Sequence, residues 1–294
     1  MINKIRKKLF RVLNRSHILY SVRFFLIMIK PSSKLLVNES YNDYNSKKDI
    51  PKIYLEENRK IQERLKGNTF ERVMLLADYL RANYTGGRGL GLSSDETLKI
   101  MKECKGGVCS DYSQVFINFC ILNDIKVREW GTHDTVYENK MGHVFNEVYI
   151  PELSKWVCVD VSKCIYFTDI KTGELLSAQQ LIDMNVAGMY ELININFFLA
   201  GKALQVSKLN LVKSIYLNPG NLFFLVTRYK IKKMDRMMKL NRLLPVPVLH
   251  FLMILKNDYY KYMLYINDKN HSVINEKIKP LFKRYEPLTF EAMA

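Results

Sequence analysis

What the chain lacks narrows it first. No apolar run in the 294 residues reaches the roughly 20 positions a helix needs to cross a bilayer. The run Ile18 to Ile29 spans twelve positions and is interrupted by Arg23. No small-residue cleavage site comes after it, which disfavours a secretory signal. Cysteine is scarce: Cys104, Cys109, Cys120, Cys158 and Cys164, all in the middle of the chain. An odd count with none in the flanks does not make the disulfide framework of a small secreted domain. The spacing also lacks the tight pairs of a structural zinc site, so no metal and no cofactor are expected. Zinc-finger spacing, an RNA-binding aromatic signature and a basic coiled coil are all missing, which disfavours nucleic acid as a partner. No internal repeat or low-complexity tract occurs. Reduced thiols point to a cytoplasmic protein, and basic charge at both ends leaves peripheral contact with a membrane open.

What is present in excess is that positive charge, and it is unevenly placed. The overall +16 divides into +9 over residues 1–48, −4 over 49–201 and +11 over 202–294. The composition is 48% hydrophobic, enough to bury a sizeable core. We therefore read a basic N-terminal extension (1–48), an ordinary globular core (49–200) and a basic, mainly helical C-terminal region (201–294). Basic flanks suit an anionic membrane surface or another polyanion, or simply a solvated surface. Within the first flank, Ile2, Ile5, Leu9, Val12 and Leu13 share one helical face among cations. That pattern fits an amphipathic helix lying on a membrane or one packed on the main domain.

Periodicity then sets out the core. Residues Pro51–Lys66 and Thr69–Tyr84 read as helices, the second with Phe70, Val73, Met74, Ala77 and Leu80 on a buried stripe. The glycine-rich stretch Thr85–Leu92 is a loop, and Ser93 with Glu96 forms a candidate capping box for a helix reaching about Glu103. A further helix starts at Cys109, with Tyr112, Val115, Phe116, Phe119 and Cys120 at intervals of three and four. Three strands come next, at about Lys126–His133, Gly142–Ile150 and Lys155–Ser162, the last two joined by Pro151–Ser154. From Ala178 onward the pattern is mostly helical.

One segment carries chemistry. Cys109 lies in G-G-V-C-S-D-Y at a helix start, where unpaired amides and the helix dipole favour a thiolate. Gly106 and Gly107 leave room for a substrate carbonyl near the backbone, and the Cys109 amide is a candidate oxyanion donor. A four-residue hairpin loop at Pro151–Ser154 pairs Ile150 with Lys155. Asp160 then falls opposite Phe145 and on the same sheet face as His143, diagonal to it. A carboxylate there can hold the imidazole so that its other nitrogen meets a thiol. His133, beside Asp134 at the end of the preceding strand, reads as a loop or rim residue. Cys120 and Cys158 read as packed thiols.

Order, spacing and setting of G-G-V-C-S-D-Y, H-V-F-N-E-V and W-V-C-V-D resemble the transglutaminase-like superfamily over roughly residues 68–165. The resemblance implies an α+β, papain-like core of helices packed on a small antiparallel sheet, flanked here by helical basic extensions. It implies a triad of Cys109 as nucleophile, His143 as general base and acid, and Asp160 as orienting carboxylate. Asn146 and Glu147 match the polar pair that follows the histidine in many members. Phe145 stands where members often have tryptophan, and Val161 where proline is common. Asn83 and Tyr84 are candidates for the oxyanion side chain. The implied function is cysteine-dependent acyl transfer on a peptide or protein amide, with hydrolysis favoured over transfer to an amine. The alternative is an inactive binding or scaffold module that uses the basic flanks.

Overall fold

The computed structural model describes residues 39–84, 86–133, 142–198, 205–218, 221–227, 229–240, 244 and 261–265. The proposed amphipathic helix of the first thirty residues and the apolar run Val248–Leu255 lie outside them. Among the described residues, no helix is long and apolar enough to cross a membrane.

Among the described residues, four α-helices precede the first strand: α1 (Lys52–Gln62), α2 (Thr69–Asn83), α3 (Ser94–Lys102) and α4 (Cys109–Leu122). Helix α2 begins at a reciprocal cap. The Asn68 side chain accepts from the Glu71 amide at 2.9 Å, and the Glu71 carboxylate accepts from the Asn68 amide at 3.1 Å. At α3 the expected capping box takes another form. The Ser93 hydroxyl bonds the Glu96 carboxylate at 2.7 Å, while the Ser94 amide is taken by Asp235, 141 residues away, also at 2.7 Å. Helix α4 is central: from Asp111 to Leu122 every residue but Gln114 is buried, the signature of a helix enclosed on all sides.

Among the described residues, the sheet has seven antiparallel strands in the order β5-β4-β3-β2-β1-β6-β7. They are β1 (Val127–His133), β2 (Gly142–Ile150), β3 (Lys155–Asp160), β4 (Ile165–Asp169), β5 (Ile193–Phe197), β6 (Leu222–Thr227) and β7 (Lys261–Tyr265). Helix α5 (Ala178–Val186) precedes β5, α6 (Gln205–Tyr216) precedes β6, and α7 (Ile231–Lys239) follows β6. Alternation along the strands feeds two cores. Val127, Val148, Val157 and Val159 pack against α1–α4. Trp130, Phe145, Cys158, Phe167, Phe223 and Leu225 pack against Leu181 and Ile182 of α5 and Val212, Ile215 and Tyr216 of α6. The protein is therefore α+β, with helices packed on both faces of an antiparallel sheet.

The sheet is larger than the three strands read from the sequence, and the C-terminal region supplies strands as well as helices. Strand β6 lies beside β1, pairing Trp130 with Leu225 and Thr132 with Phe223. Its run L-F-F-L-V-T has no alternation because both faces are covered, and a short apolar run of that kind fits a buried strand or a helix equally. Pairing with β1 decides for the strand.

Candidate active site

Cys109 is the first residue of α4, half-buried, with Val108 at the N-cap. Asp111 fixes this helix start by accepting from the amides of Val108 at 2.9 Å and Leu90 at 3.2 Å. One carboxylate thus ties the glycine-rich loop to the turn that carries the cysteine. Backbone pairing completes the tie: the Gly87 amide donates to the Gly107 carbonyl at 2.8 Å, and the Gly107 amide donates to the Arg88 carbonyl at 2.9 Å. This corrects the expectation that Gly106 and Gly107 leave space for a substrate. The loop occupies that space. Gly107 sits at φ +130°, and a Cβ there would come within 3.0 Å of the Met101 Cε, so glycine serves backbone geometry and close packing.

The hairpin register is as the loop length implied, from Ile150↔Lys155 through Asn146↔Val159. A short 3-10 turn, Pro151–Leu153, and Ser154 in the left-handed region at φ +49° close it. In that register the Nε2 of His143 is 2.6 Å from Oδ2 of Asp160, both groups buried. With Nε2 committed to the carboxylate, Nδ1 is left free of Asp160, and Cys109 is near enough to help raise the imidazole's pKa. The structure therefore brings Cys109, His143 and Asp160 together.

Asp160 is fully enclosed and fully used. Its Oδ1 accepts from the Ser162 hydroxyl at 2.8 Å and the Lys163 amide at 3.0 Å. Its Oδ2 accepts from His143 and from the Tyr216 hydroxyl at 2.9 Å. Tyr216, at the end of α6, had no signal in the sequence; it lies 56 residues from Asp160 in a segment whose helical pattern does not reveal what it faces. Its ring meets His143 edge-on, with centroids 5.9 Å apart, and packs on Phe145 and Phe167 at 5.1 and 4.8 Å.

Electrostatics follow from this enclosure. Burial alone pushes His143 down, but the Asp160 charge and hydrogen bond, joined by Cys109, outweigh it and lift the imidazole from 6.5 to about 9. Burial pushes Asp160 up, and the His143 charge, His143 hydrogen bond, Ser162 and Tyr216 bring it below the usual carboxylate value. Both shifts favour the imidazolium–carboxylate form of the pair. Burial drives the Cys120 and Cys158 thiols well above their ordinary range, in keeping with packed thiols.

Residues 58–161 match the sequence model of the transglutaminase-like superfamily. This segment is a transglutaminase-like core. The superfamily is one of cysteine-dependent enzymes, and the match spans the cysteine, histidine and aspartate in order. Among solved structures, the chain is similar to a candidate cysteine protease from Cytophaga hutchinsonii at 16% identity and a TM-score of 0.31. That similarity covers 58% of this chain and 53%, about half, of that protein. No curated protein matches the chain.

Around Cys109, His143 and Asp160 of this transglutaminase-like segment, the polar pair after His143 braces the scaffold. The Asn146 amide donates to Ser113 at 2.8 Å, and the Ser113 hydroxyl to Glu129 at 2.8 Å, linking β2, α4 and β1 one turn below Cys109. Burial lifts the Glu129 carboxyl to about 7, against the lowering effect of Ser113. Glu147 accepts from Arg128 at 2.6 Å, from the Trp130 indole and from the Ala178 amide that opens α5. It clamps two strands and caps a helix. Of the two oxyanion candidates, only Asn83 has its side chain engaged elsewhere; the Tyr84 hydroxyl is buried with no hydrogen-bond partner among the described residues. The Asn83 amide donates to the Tyr79 carbonyl at 2.8 Å, and Tyr84 packs edge-on against Tyr79 while its carbonyl takes the Tyr112 hydroxyl. His133 ends β1, opposite Gly142.

Proposed function

We propose that the protein is a cysteine-dependent acyl-transfer enzyme that cleaves an amide or peptide bond through Cys109, His143 and Asp160. The observation that carries this reading is the 2.6 Å contact between His143 and Asp160, with the imidazole's remaining nitrogen left for a cysteine at a helix start. In the first step the Cys109 thiolate attacks the carbonyl carbon, and the oxyanion meets the Cys109 amide. That amide is a first-turn donor that no carbonyl of the helix takes. His143 passes its proton to the departing amine, leaving a thioester. His143, now neutral, takes a proton from water as the water attacks the thioester, and the acid and free thiolate are regenerated. Water is the default acceptor, so hydrolysis is favoured over transfer to an amine. A peptide or protein is the substrate class. The basic flanks are proposed to hold the enzyme near an anionic surface or polyanion.

Thiol reactivity tests the reading, and burial sharpens the comparison. Cys120, Cys158 and Cys164 are buried, so the informative rival is Cys104, which is exposed. At about pH 6 an ordinary thiol is almost wholly protonated. Iodoacetamide should therefore modify Cys109 at least about tenfold faster than Cys104. His143→Ala should erase that lead. If Cys104 reacts as fast as Cys109 in the unaltered protein, the enzymatic reading fails.

A further inference from the structure

The hydrogen bond from Tyr216 to Asp160 comes from outside the segment that matches the superfamily. The match ends at residue 161, whereas Tyr216 closes helix α6. Its hydroxyl lands on Oδ2 of Asp160, the oxygen that also accepts from His143, and its ring meets the imidazole of His143 edge-on. The tyrosine is fully buried, and the orientation of its ring is fixed by Phe145 of β2 and Phe167 of β4. The Asn185 side chain of α5 holds the Tyr216 carbonyl at 3.3 Å, and Asn221 holds the carbonyls of Ser214 and Ile215 at 2.8 Å each. The end of α6 is therefore anchored on both sides of the residue.

We infer that Tyr216 is a positioning residue of the triad: by donating to the shared oxygen of Asp160 and packing edge-on against the imidazole, it sets how firmly His143 holds its proton. A buried carboxylate oxygen with two donors divides its charge between them. Each donor weakens the hold on the other. Removing the hydroxyl would leave Oδ2 to His143 alone, strengthen the imidazolium–carboxylate pair, and make His143 a poorer acid toward a leaving amine. The ring adds a second effect: it keeps water from the pair, so the pair acts at low local dielectric. The other ionisable groups around the pair are Cys109 of α4, Cys158 of β3, and Cys164 with Arg81 beyond it. None of these donates to Oδ2 in the bonds described, and Tyr216→Phe alters none of them.

The consequence for catalysis rests on the acyl-transfer reading, but the coupling of Tyr216 to His143 can be measured without any substrate. In the full chain, the ring protons of His143 are followed by NMR against pH in the unaltered protein and in Tyr216→Phe. The expected result is an upward move of the His143 midpoint by about one pH unit, with cooperative unfolding retained. A folded variant whose His143 midpoint does not move would reduce Tyr216 to packing and overturn the inference. Should Tyr216→Phe fail to fold, the unaltered protein decides: the Tyr216 hydroxyl proton should exchange slowly and show a nuclear Overhauser contact to the His143 ring, and its absence would overturn the inference. Failure of Cys109 to outpace Cys104 in alkylation would remove the acyl-transfer reading and leave these titration outcomes standing on their own.

Discussion

At the scale of the residue, the decisive feature is that His143 and Asp160 are buried yet both lean to their charged forms. A buried lone imidazole would be neutral; the carboxylate reverses this. The sign of the pH dependence follows. The folded pKa of His143 is raised from 6.5 to about 9, so its contribution to stability is full below 6.5 and disappears as pH rises through about 9. Asp160 has a lowered pKa, so its contribution is present above 3.8 and lost as pH falls through its lower folded value. The pair stabilises most between those ordinary values, 3.8 and 6.5. Asp160→Asn should thus destabilise the protein by about 3 kcal/mol near pH 6, the scale of breaking a buried pair. The deficit should shrink as pH passes about 9. Urea unfolding of both proteins across this range checks it; a deficit independent of pH would mean that shape, not charge, sets the loss.

At the scale of the element, legibility followed how local the determining contacts are. Strands β2 and β3 could be read because a four-residue loop fixes their register, and that register alone brings His143 to Asp160. Helix α4 could be read from its own spacing. Strand β6 could not, since both of its faces are covered and only its pairing with β1 shows what it is. Ser93 is the N-cap of α3 as expected, but the acceptor of the Ser94 amide, Asp235, could not be read for the same reason: it is distant in sequence. Asp111 is the converse case, a residue three positions into α4 whose reach back to Val108 is local but whose hold on Leu90 is not. Asp111→Ala removes the acceptor for both amides. We expect a loss of about 1 kcal/mol, typical of a missing cap. Amide exchange should quicken at Leu90 and Val108 while the centre of α4 keeps its protection. Cys109 should also lose much of its lead over Cys104 in alkylation, because the helix start that carries it is no longer held. Unchanged exchange at Leu90 would show that the backbone pairing of Gly87 and Arg88 with Gly107 suffices to hold the loop.

At the scale of the whole molecule, the core that matches the superfamily is not the structural unit. The side of the sheet bearing Trp130, Phe145, Cys158 and Phe167 has its cover from α5 and α6, and β1 has β6 along its outer side. A chain ending after Phe198 would retain the matched segment and α5. It would lack Val212, Ile215 and Tyr216 over the sheet and Phe223 and Leu225 beside it. Two consequences oppose folding: several large apolar side chains return to water, at about 1.5–3 kcal/mol for each fully uncovered, and the amides and carbonyls of β1 become an exposed edge. Native domains have only about 5–15 kcal/mol in total, so losses of this size are comparable with the whole stability. Asp160 would also lose the Tyr216 hydroxyl while remaining charged. We therefore expect the shortened chain to unfold without a cooperative transition, to bind a hydrophobic dye, and to show no preferential alkylation of Cys109. Calorimetry and dye fluorescence check this directly. A sharp transition with native near-ultraviolet dichroism would instead make residues 199–294 an accessory to a core that folds alone, and the triad would have to be held by β1–β5 and the helices on their other face.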